Sequence, residues 1–274
     1  MKTRYKKLVR RIYKKLVRRI KKNYISLTNK KEIVYKTRFG FKILLDLSKD
    51  VDRRFYLNDF ENNTIDFFLK SLKKGMTVFD IGANIGIYSL IASNKIKKEG
   101  KVFSFEPSDW AYKRLLHNIK FSKYSNIIIN NTGIADNTGE LKFYVCEDDA
   151  YNSIGNTPMK NIIGVNTINV FSLDDYVSTN NIKKVDIIKV DTEGAEFLVF
   201  KGAEKTLKKH APIIFFEYNP PAVKGFNYSS LDTINLIKSY GYRCYEFIEN
   251  ELVEIKDNII KSFDIIAFKD KQTF

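Results

Sequence analysis

Five short apolar runs, separated by polar stretches or by helical periodicity, constrain the fold of this 274-residue chain most strongly. The runs are TVFDI (77–81), KVFSF (101–105), NIIIN (126–130), VDIIKV (185–190) and PIIFFE (212–217). Continuous apolar strands that alternate with helices are typical of a parallel sheet covered on both faces. The chain is therefore predicted to have an α/β fold with a mostly parallel sheet.

The remaining periodic segments predict helices and antiparallel strand pairs. Helices are predicted near residues 61–73, 86–97, 109–121, 195–208 and 230–240. A hairpin is predicted over residues 31–47 with its turn near Gly40, and an inserted strand pair at residues 141–146 and 167–173. The last two strands, at residues 243–248 and 262–268, have a short connection that favours antiparallel pairing. The result is a Rossmann-like sheet of seven strands with an antiparallel last strand.

The segment VFDIGANIGIYSL (78–90) places a glycine loop between a strand and a helix. In open α/β sheets, ligands bind at the carboxyl ends of strands, beside such a loop. Gly82 permits a close backbone approach and a positive φ, and Gly86 permits close packing of strand and helix. The spacing D-x-G-x-N-x-G from Asp80 differs from the G-x-G-x-x-G of dinucleotide sites, which argues against a pyrophosphate ligand.

A second acidic position supports a nucleoside site. Glu106 ends the second strand, 24 residues after Gly82. A carboxylate there can accept hydrogen bonds from both ribose hydroxyls of an adenosine. A lone Glu-Pro pair is more often a strand terminus, but its combination with the glycine loop favours a binding role.

These motifs resemble those of S-adenosylmethionine (SAM)-dependent methyltransferases, specifically the FkbM family. The matching segments are FDIGANIG (79–86), FEPS (105–108), SLDDY (172–176), IIKVDTEGAE (187–196), KGA (201–203) and FFEYNP (215–220). The resemblance implies the seven-stranded methyltransferase sheet, SAM as cofactor, and O-methylation, commonly of sugar hydroxyls in glycans and natural products. The cofactor-binding residues it implies are Asp80, Gly82, Ala83, Asn84, Gly86, Glu106, Pro107 and Ser108.

Acidic residues after the fourth and fifth strands are the candidates for catalysis. A sugar hydroxyl is a weak nucleophile that benefits from alignment and from a base. Lys189, Asp191 and Glu193 alternate, so they share one face if strand geometry persists. We expect carboxylates to hold Lys189, and Asp191 or Glu193 to orient or deprotonate the hydroxyl. Glu217 points to the same edge, whereas Glu196 fits the first turn of a helix.

Other roles for these carboxylates stay open. Asp191, Glu193 and Glu217 could instead hold Mg²⁺ or Mn²⁺, which would lower the hydroxyl pKa without a protein base. Each acid could also cap a helix or satisfy a loop amide. Asn152 and Ser153, in the loop DDAYNSIGN, are candidates either for the acceptor site or for a plain surface loop.

Two rival functions follow from other features. The stretch YNPPA (218–222) is similar to the N-P-P-aromatic motif of nucleic-acid amino-methyltransferases, which hold a flipped base. However, Ala222 replaces the stacking aromatic, and the stretch follows the fifth strand rather than the fourth. The second rival is a cofactor-binding or membrane-adaptor protein without catalysis. The intact glycine loop, Glu106 and the acidic residues argue against it.

The basic charge is concentrated at the amino terminus. Residues 1–24 hold 12 Lys and Arg and no acidic residue, so the rest holds 47 − 12 = 35 basic against 32 acidic residues. The octapeptide YKKLVRRI occurs twice in residues 5–20. On a helix its apolar residues share one half and most of its basic residues, with Lys21 and Lys22, fill the other. This pattern favours attachment to an anionic membrane surface, with nucleic acid, a partner subunit or a solvated arm as alternatives.

The predicted organisation is an amphipathic helix and hinge at residues 1–30, followed by a methyltransferase domain at residues 31–274. The chain outside residues 1–24 is nearly neutral, so nucleic acid is not the expected partner. The expected partner is a glycan or a small-molecule acceptor. Cys146 and Cys244 are far apart in sequence, which favours a reducing compartment. With no long apolar run and no secretory signal, the expected location is cytoplasmic, with peripheral attachment at the inner membrane face.

Overall fold

The computed structural model describes residues 15–25, 31–156, 161–248, 251–256 and 260–270. The chain divides into two compact units, Met1–Asn62 and Asn63–Phe274. The domain boundary predicted at residue 30 falls within the first unit. Most of the expected hinge (26–30) and the first 14 residues of the basic segment lie outside the described residues.

The first unit contains a helix, a hairpin and a second helix. The predicted hairpin is confirmed: β1 (Glu32–Lys36) pairs antiparallel with β2 (Lys42–Asp46), and Gly40 takes a φ of 92° in the turn. Residues 15–25 form helix α1. Helix α2 (Asp50–Tyr56), which the pattern did not predict, adds aromatic rings that meet Tyr35 of the hairpin edge to face.

Helix α1 differs from the predicted amphipathic arrangement at Lys21. This lysine was expected on the polar face, yet it is half-buried, with its Nζ 4.6 Å from the ring centres of both Tyr35 and Tyr56. Such cation–π contacts, together with the apolar stem, favour burial of a lysine against aromatic rings. As a consequence the apolar side chains of Leu16 and Ile20 are exposed, at 54% and 59%.

The second unit is built on an eight-stranded sheet with the order β12-β11-β13-β10-β9-β3-β4-β5. Strands β3, β4, β5, β9 and β10 are parallel neighbours, and β13 pairs antiparallel with both β10 and β11. The strands are β3 (Thr77–Ile81), β4 (Lys101–Phe105), β5 (Ile127–Asn130), β9 (Ile187–Val190), β10 (Ile213–Glu217), β11 (Arg243–Ile248), β12 (Glu251–Glu254) and β13 (Asp264–Phe268). The seven-stranded sheet with an antiparallel last strand is confirmed, and β12 extends one edge as an eighth strand.

Helices cover the sheet, and a small separate sheet projects from the chain between β5 and β9. The helices are α3 (Asn62–Ser71), α4 (Ile87–Ile96), α5 (Asp109–Ser122), α6 (Leu173–Thr179), α7 (Glu196–Lys201), α8 (Glu204–His210) and α9 (Ser230–Ser239). The small sheet has the order β6-β8-β7, from β6 (Gly133–Ala135), β7 (Gly139–Cys146) and β8 (Ile162–Ser172). The inserted strand pair is thus confirmed as the antiparallel pair β7 and β8.

The predicted helix over residues 195–208 is two helices, because the chain breaks at Gly202. A Cβ at this glycine would lie 2.2 Å from the carbonyl oxygen of Ala135, so close backbone packing excludes any larger residue. Helix α6 was also missed, since its first residue, Leu173, continues the apolar alternation of β8.

The strand order fixes where a ligand can bind. The chain runs from β3 outward to β4 and β5, and then returns to the other side of β3 with β9 and β10. This reversal creates a crevice at the carboxyl ends of β3, β4 and β9, the usual binding place in open α/β sheets. The strands there are held rigidly: Phe79 is fully buried and stacks on Phe103 and Phe105, with ring centres 5.0 and 5.8 Å apart.

Candidate active site

The loop after β3 has the shape predicted for the glycine motif. The N–H groups of Gly82 and Ala83 both donate to the carbonyl oxygen of Phe105, at 3.0 and 2.9 Å, which ties the loop to the end of β4. Gly82 takes a φ of 77°, and a Cβ there would lie 1.8 Å from the backbone oxygen of Asp191. Glycine is therefore required at this position for two reasons, the positive φ and the close approach of the Asp191 backbone.

Gly86 is required for a different contact from the one predicted. It takes a φ of 93° at the start of α4, and a Cβ there would meet Leu115 Cδ1 of helix α5 at 2.6 Å. The close packing therefore joins the loop to a neighbouring helix rather than to the strand.

Glu106 is held rigidly at the end of β4. One carboxylate oxygen accepts from the N–H of Asn84 at 2.7 Å, and the other accepts from the N–H of Ser108 at 2.9 Å. Burial raises the pKa of Glu106 to about 7, with further contributions from Asp149 and Asp80. These two backbone N–H donors fix the plane of the Glu106 carboxylate. A fixed plane is what a carboxylate needs in order to accept hydrogen bonds from both hydroxyls of a diol.

Pro107 and Ser108 have clear local roles. The carbonyl oxygen of Pro107 accepts from the side chain of Asn131. Ser108 is the N-cap of α5, and its hydroxyl accepts from the N–H of Ala111. Cofactor contact by these two residues stays a prediction.

Asp80 lies in a buried polar network that the sequence analysis missed. The hydroxyl of Ser89 donates to Asp80 Oδ2 at 2.5 Å and lies 2.6 Å from the hydroxyl of Ser104. Burial raises the pKa of Asp80, and its Oδ1 has no hydrogen-bond partner among the described residues. The sequence signal that could have predicted this network is the presence of Ser89 in the apolar helix α4 and of Ser104 in the apolar strand β4. Buried hydroxyls need hydrogen-bond partners.

The predicted acidic residues meet at the carboxyl ends of β9 and β10. One carboxylate oxygen of each of Asp191, Glu193 and Glu217 lies within 4.8 Å of the others. Lys189 Nζ is buried and donates to Asp191 Oδ2 at 2.8 Å, and it lies 4.8 Å from the ring centre of Tyr88. The prediction that a carboxylate holds Lys189 is confirmed. The four side chains converge even though β9 ends at Val190, before the alternation is complete.

A tight turn, rather than a continued strand, brings Glu193 into this group. Glu193 takes a φ of 51°, which is uncommon for a residue other than glycine. Its Oε2 is buried and has no hydrogen-bond partner within the described part of the chain. Burial, and the nearby carboxylates of Glu217 and Asp191, raise the pKa of Glu193 well above its usual range. A buried carboxyl group without a partner is costly, and such groups concentrate at functional sites.

Two flanking loops hold this turn in place. Ser153 is buried, and its hydroxyl donates to the backbone oxygen of Glu193 at 2.8 Å. On the other side, the Tyr228 hydroxyl donates to the backbone oxygen of Gly194 at 2.8 Å. The Tyr228 ring stacks on Phe197 at 4.7 Å between ring centres. Ser153 is therefore a structural clamp rather than a surface residue.

Glu196 behaves as the sequence analysis expected of a first-turn residue. It begins α7, and its carboxylate accepts from both the N–H and the hydroxyl of Thr192, at 2.8 and 3.0 Å. It is committed to shaping the turn, and a role of Asp191, Glu193 or Glu217 toward an acceptor stays a prediction.

A family model, the methyltransferase FkbM domain, matches residues 80–244, which is more than half of the chain. The hexuronic acid methyltransferase AglP of Haloferax volcanii is 28% identical over 148 residues, covering 54% of this chain and 58% of that protein. Methyltransferase sdnD of Sordaria araneosa is 23% identical over 210 residues, covering 66% of this chain and 79% of that protein. The match therefore spans little more than half the length of the first of these relatives.

Among solved structures, an FkbM methyltransferase of Methylobacillus flagellatus KT aligns with a TM-score of 0.45 at 18% identity, covering 72% of this chain and 44% of that chain. With the fold, the two nucleoside-type motifs and the family match all in agreement, the chain belongs to the FkbM family of SAM-dependent methyltransferases.

Proposed function

We propose that this protein is a SAM-dependent O-methyltransferase that methylates a sugar hydroxyl of a glycan or glycolipid. One observation carries the proposal: the cofactor-type loop and the carboxylate cluster meet at one sheet edge, where Gly82 packs against the backbone oxygen of Asp191. The relative named a hexuronic acid methyltransferase supports a sugar as the acceptor.

The residues present fit SAM as cofactor. Asp80 leaves a buried carboxylate oxygen without a partner among the described residues, and such an oxygen suits the ammonium group of a methionine moiety. The carboxylate of Glu106 would hold the ribose hydroxyls, and the loop at Gly82 would lie along the methionine moiety. When bound, SAM supplies a methyl group on a positively charged sulfur, which leaves as a neutral thioether.

The protein's own residues then align and activate the acceptor. Lys189 fixes Asp191 through their ion pair, so that this carboxylate is held beside the cofactor loop. As the hydroxyl oxygen forms its bond to the methyl carbon, its proton must leave. Two kinds of group at the cluster can promote the loss of this proton. One is a carboxylate that accepts it, and the other is a divalent cation, Mg²⁺ or Mn²⁺, held by the carboxylates.

SAM affinity is expected to be about tenfold weaker at pH 6 than at pH 8. The pKa of Glu106 is raised to about 7, so about a tenth of the molecules carry the carboxylate at pH 6 and about nine-tenths at pH 8. Titration calorimetry of SAM across this range measures the effect. The variant Glu106→Gln keeps every other titrating group. Its SAM affinity should therefore lack the change between pH 6 and pH 8 that Glu106 causes in the wild type. Parallel profiles for the two proteins would contradict the assigned role.

The structure disfavours an amino-methyltransferase acting on nucleic acid. The side-chain amide of Asn219 is engaged internally: it donates to Glu217 at 3.3 Å and accepts from the N–H of Ala222 at 3.3 Å. Ala222 is fully buried and has no ring with which to stack a base.

The direct test of the proposed function is methyl incorporation. The protein is incubated with isotopically labelled SAM and a panel of neutral and acidic oligosaccharides, and the products are analysed by mass spectrometry. We expect one labelled methyl group on a sugar oxygen. Binding of SAM without transfer to any sugar in the panel would favour the non-catalytic alternative, and label recovered on RNA bases would favour the nucleic-acid rival.

We also propose that the amino-terminal segment attaches the enzyme to an anionic membrane surface. Leu16, Ile20 and Tyr24 lie four residues apart on α1 and are all exposed, so they form one apolar stripe. The exposed basic residues Lys15 and Lys22 are on the same helix. An exposed apolar stripe beside basic side chains suits an anionic interface. No helix among the described residues is long and apolar enough to cross a membrane.

The double variant Leu16→Asp with Ile20→Asp is expected to weaken binding to phosphatidylserine vesicles at least about 100-fold, because two apolar side chains are lost and two charges repel the surface. Vesicle co-sedimentation measures this. The matched control is Val34→Asp with Ile163→Asp, which removes two other exposed apolar side chains and adds the same charge. Equal loss in both double variants, or no loss in the first, would show that α1 is not the attachment surface.

A further inference from the structure

We infer that Asp191, Glu193 and Glu217 bind one divalent cation of the Mg²⁺ or Mn²⁺ type beside the acceptor hydroxyl. The proposed catalytic role of this cation rests on the O-methyl transfer above, whereas its binding can be measured separately. One carboxylate oxygen of each residue lies within 4.8 Å of the others. Two oxygens on opposite sides of one ion are about 4.2–4.8 Å apart for metal–oxygen distances of about 2.1–2.4 Å. The three side chains therefore need little movement to share an ion.

A second observation points to a ligand at this cluster. Oε2 of Glu193 is buried and makes no hydrogen bond within the described residues. The other two acids each have a partner, since Asp191 accepts from Lys189 and Glu217 accepts from Asn219. A buried acceptor without a donor is rare, and a cation is one group that would satisfy it.

The local charge also favours a cation. Asp191, Glu193 and Glu217 carry three negative charges when ionised, and Lys189 supplies one positive charge within hydrogen-bond distance. Crowding of this kind favours either protonation of one carboxylate or the binding of a further positive ion. The ligands are oxygens only, which suits hard cations and not the soft metals that prefer sulfur or imidazole.

The cation would supply a defined step in the proposed reaction. Coordination of the acceptor hydroxyl oxygen would lower the hydroxyl pKa, so that its proton passes to solvent more readily. The electron pair left on oxygen then forms the bond to the methyl carbon. The carbon–sulfur bond breaks at the same time, and its electron pair remains on sulfur. The cation itself is unchanged.

Binding is tested on the full chain with Mn²⁺ as the probe, by electron paramagnetic resonance in the presence of S-adenosylhomocysteine. We expect one Mn²⁺ per chain, displaced by excess Mg²⁺. Glu193→Gln and Glu217→Gln, which preserve side-chain volume, should each weaken Mn²⁺ binding at least about 30-fold. Glu140→Gln removes an exposed carboxylate on β7 outside the site and should leave binding unchanged.

The outcomes separate this inference from the proposed function. Wild-type protein that binds SAM but takes up no Mn²⁺ would overturn the cation site and favour a proton shared between carboxylates. Equal Mn²⁺ binding by wild type and Glu193→Gln would also overturn the cation site, and full turnover after exhaustive chelation would overturn the catalytic role of the cation. Loss of SAM binding in wild type would instead count against the proposed function. A SAM titration of each variant confirms that it is folded.

Discussion

Replacing Asp191 with asparagine is expected to lower the rate of methyl transfer about 10³-fold while leaving SAM affinity within about threefold. Asparagine keeps the size of the side chain and can still accept a hydrogen bond from Lys189, but it removes the negative charge and the basicity of the carboxylate. Asp191 lies beside the cofactor loop rather than within it, so ground-state binding of SAM should change little. Single-turnover kinetics with labelled SAM, together with calorimetry, separates the two effects.

The matched control is Asp186→Asn at the opposite end of the same strand. Asp186 is also paired with a lysine, Lys184 at 2.5 Å, but it precedes β9 and lies at the amino edge of the sheet. Because asparagine can still accept from the N–H of Thr77, as Asp186 Oδ2 does at 2.9 Å, this replacement should change the transfer rate less than about twofold. An equal loss in both variants would mean that the Asp191 effect comes from a damaged strand and not from the reaction.

Replacing Gly82 with alanine is expected to weaken SAM binding at least about 100-fold and to lower the free energy of unfolding by about 3 kcal/mol. A φ of 77° is unfavourable for alanine, and the new Cβ would lie 1.8 Å from the Asp191 backbone oxygen. The loop must therefore shift away from β9, which disturbs both the nucleoside site and the acid cluster. Chemical denaturation and calorimetry measure the two losses.

Gly75→Ala provides the control for backbone strain alone. Gly75 takes a nearly equal φ of 82°, but a Cβ there meets no atom within 4 Å. Its replacement should lower the free energy of unfolding by about 1 kcal/mol and leave SAM affinity unchanged. Equal losses of SAM affinity and of unfolding free energy in Gly75→Ala and Gly82→Ala would contradict the importance of the close approach between the loop and Asp191.

Much of the fold was predictable because its signals are local. The apolar runs of β3, β4, β9 and β10 and the glycine at position 40 each determine their own element by periodicity or by turn conformation. What could not be predicted depends on contacts between distant segments. The break at Gly202 follows from packing on Ala135, and the burial of Lys21 follows from two tyrosines elsewhere in the first unit.

In the candidate site, too, some features follow from local sequence signals and others depend on contacts between distant segments. The positions of Asp191 and Glu217 followed from strand ends, which meet at one edge in any parallel sheet. Glu193 joined them through a turn with positive φ that no pattern in the sequence indicated. The clamps that stabilise this turn, from Ser153 and Tyr228, come from segments about 35 to 40 residues away along the chain. Hydrogen bonds over such separations cannot be read from spacing alone.

The central claim is that SAM is held between the loop at Gly82 and the carboxylate of Glu106, and titration calorimetry at pH 8 tests it most directly. We predict that the wild-type protein binds one SAM per chain. Glu106→Ala should bind at least about 100-fold more weakly, because two charge-assisted hydrogen bonds to the ribose are lost. Folded wild-type protein that takes up no SAM, or a Glu106→Ala variant with unchanged affinity, would contradict the account.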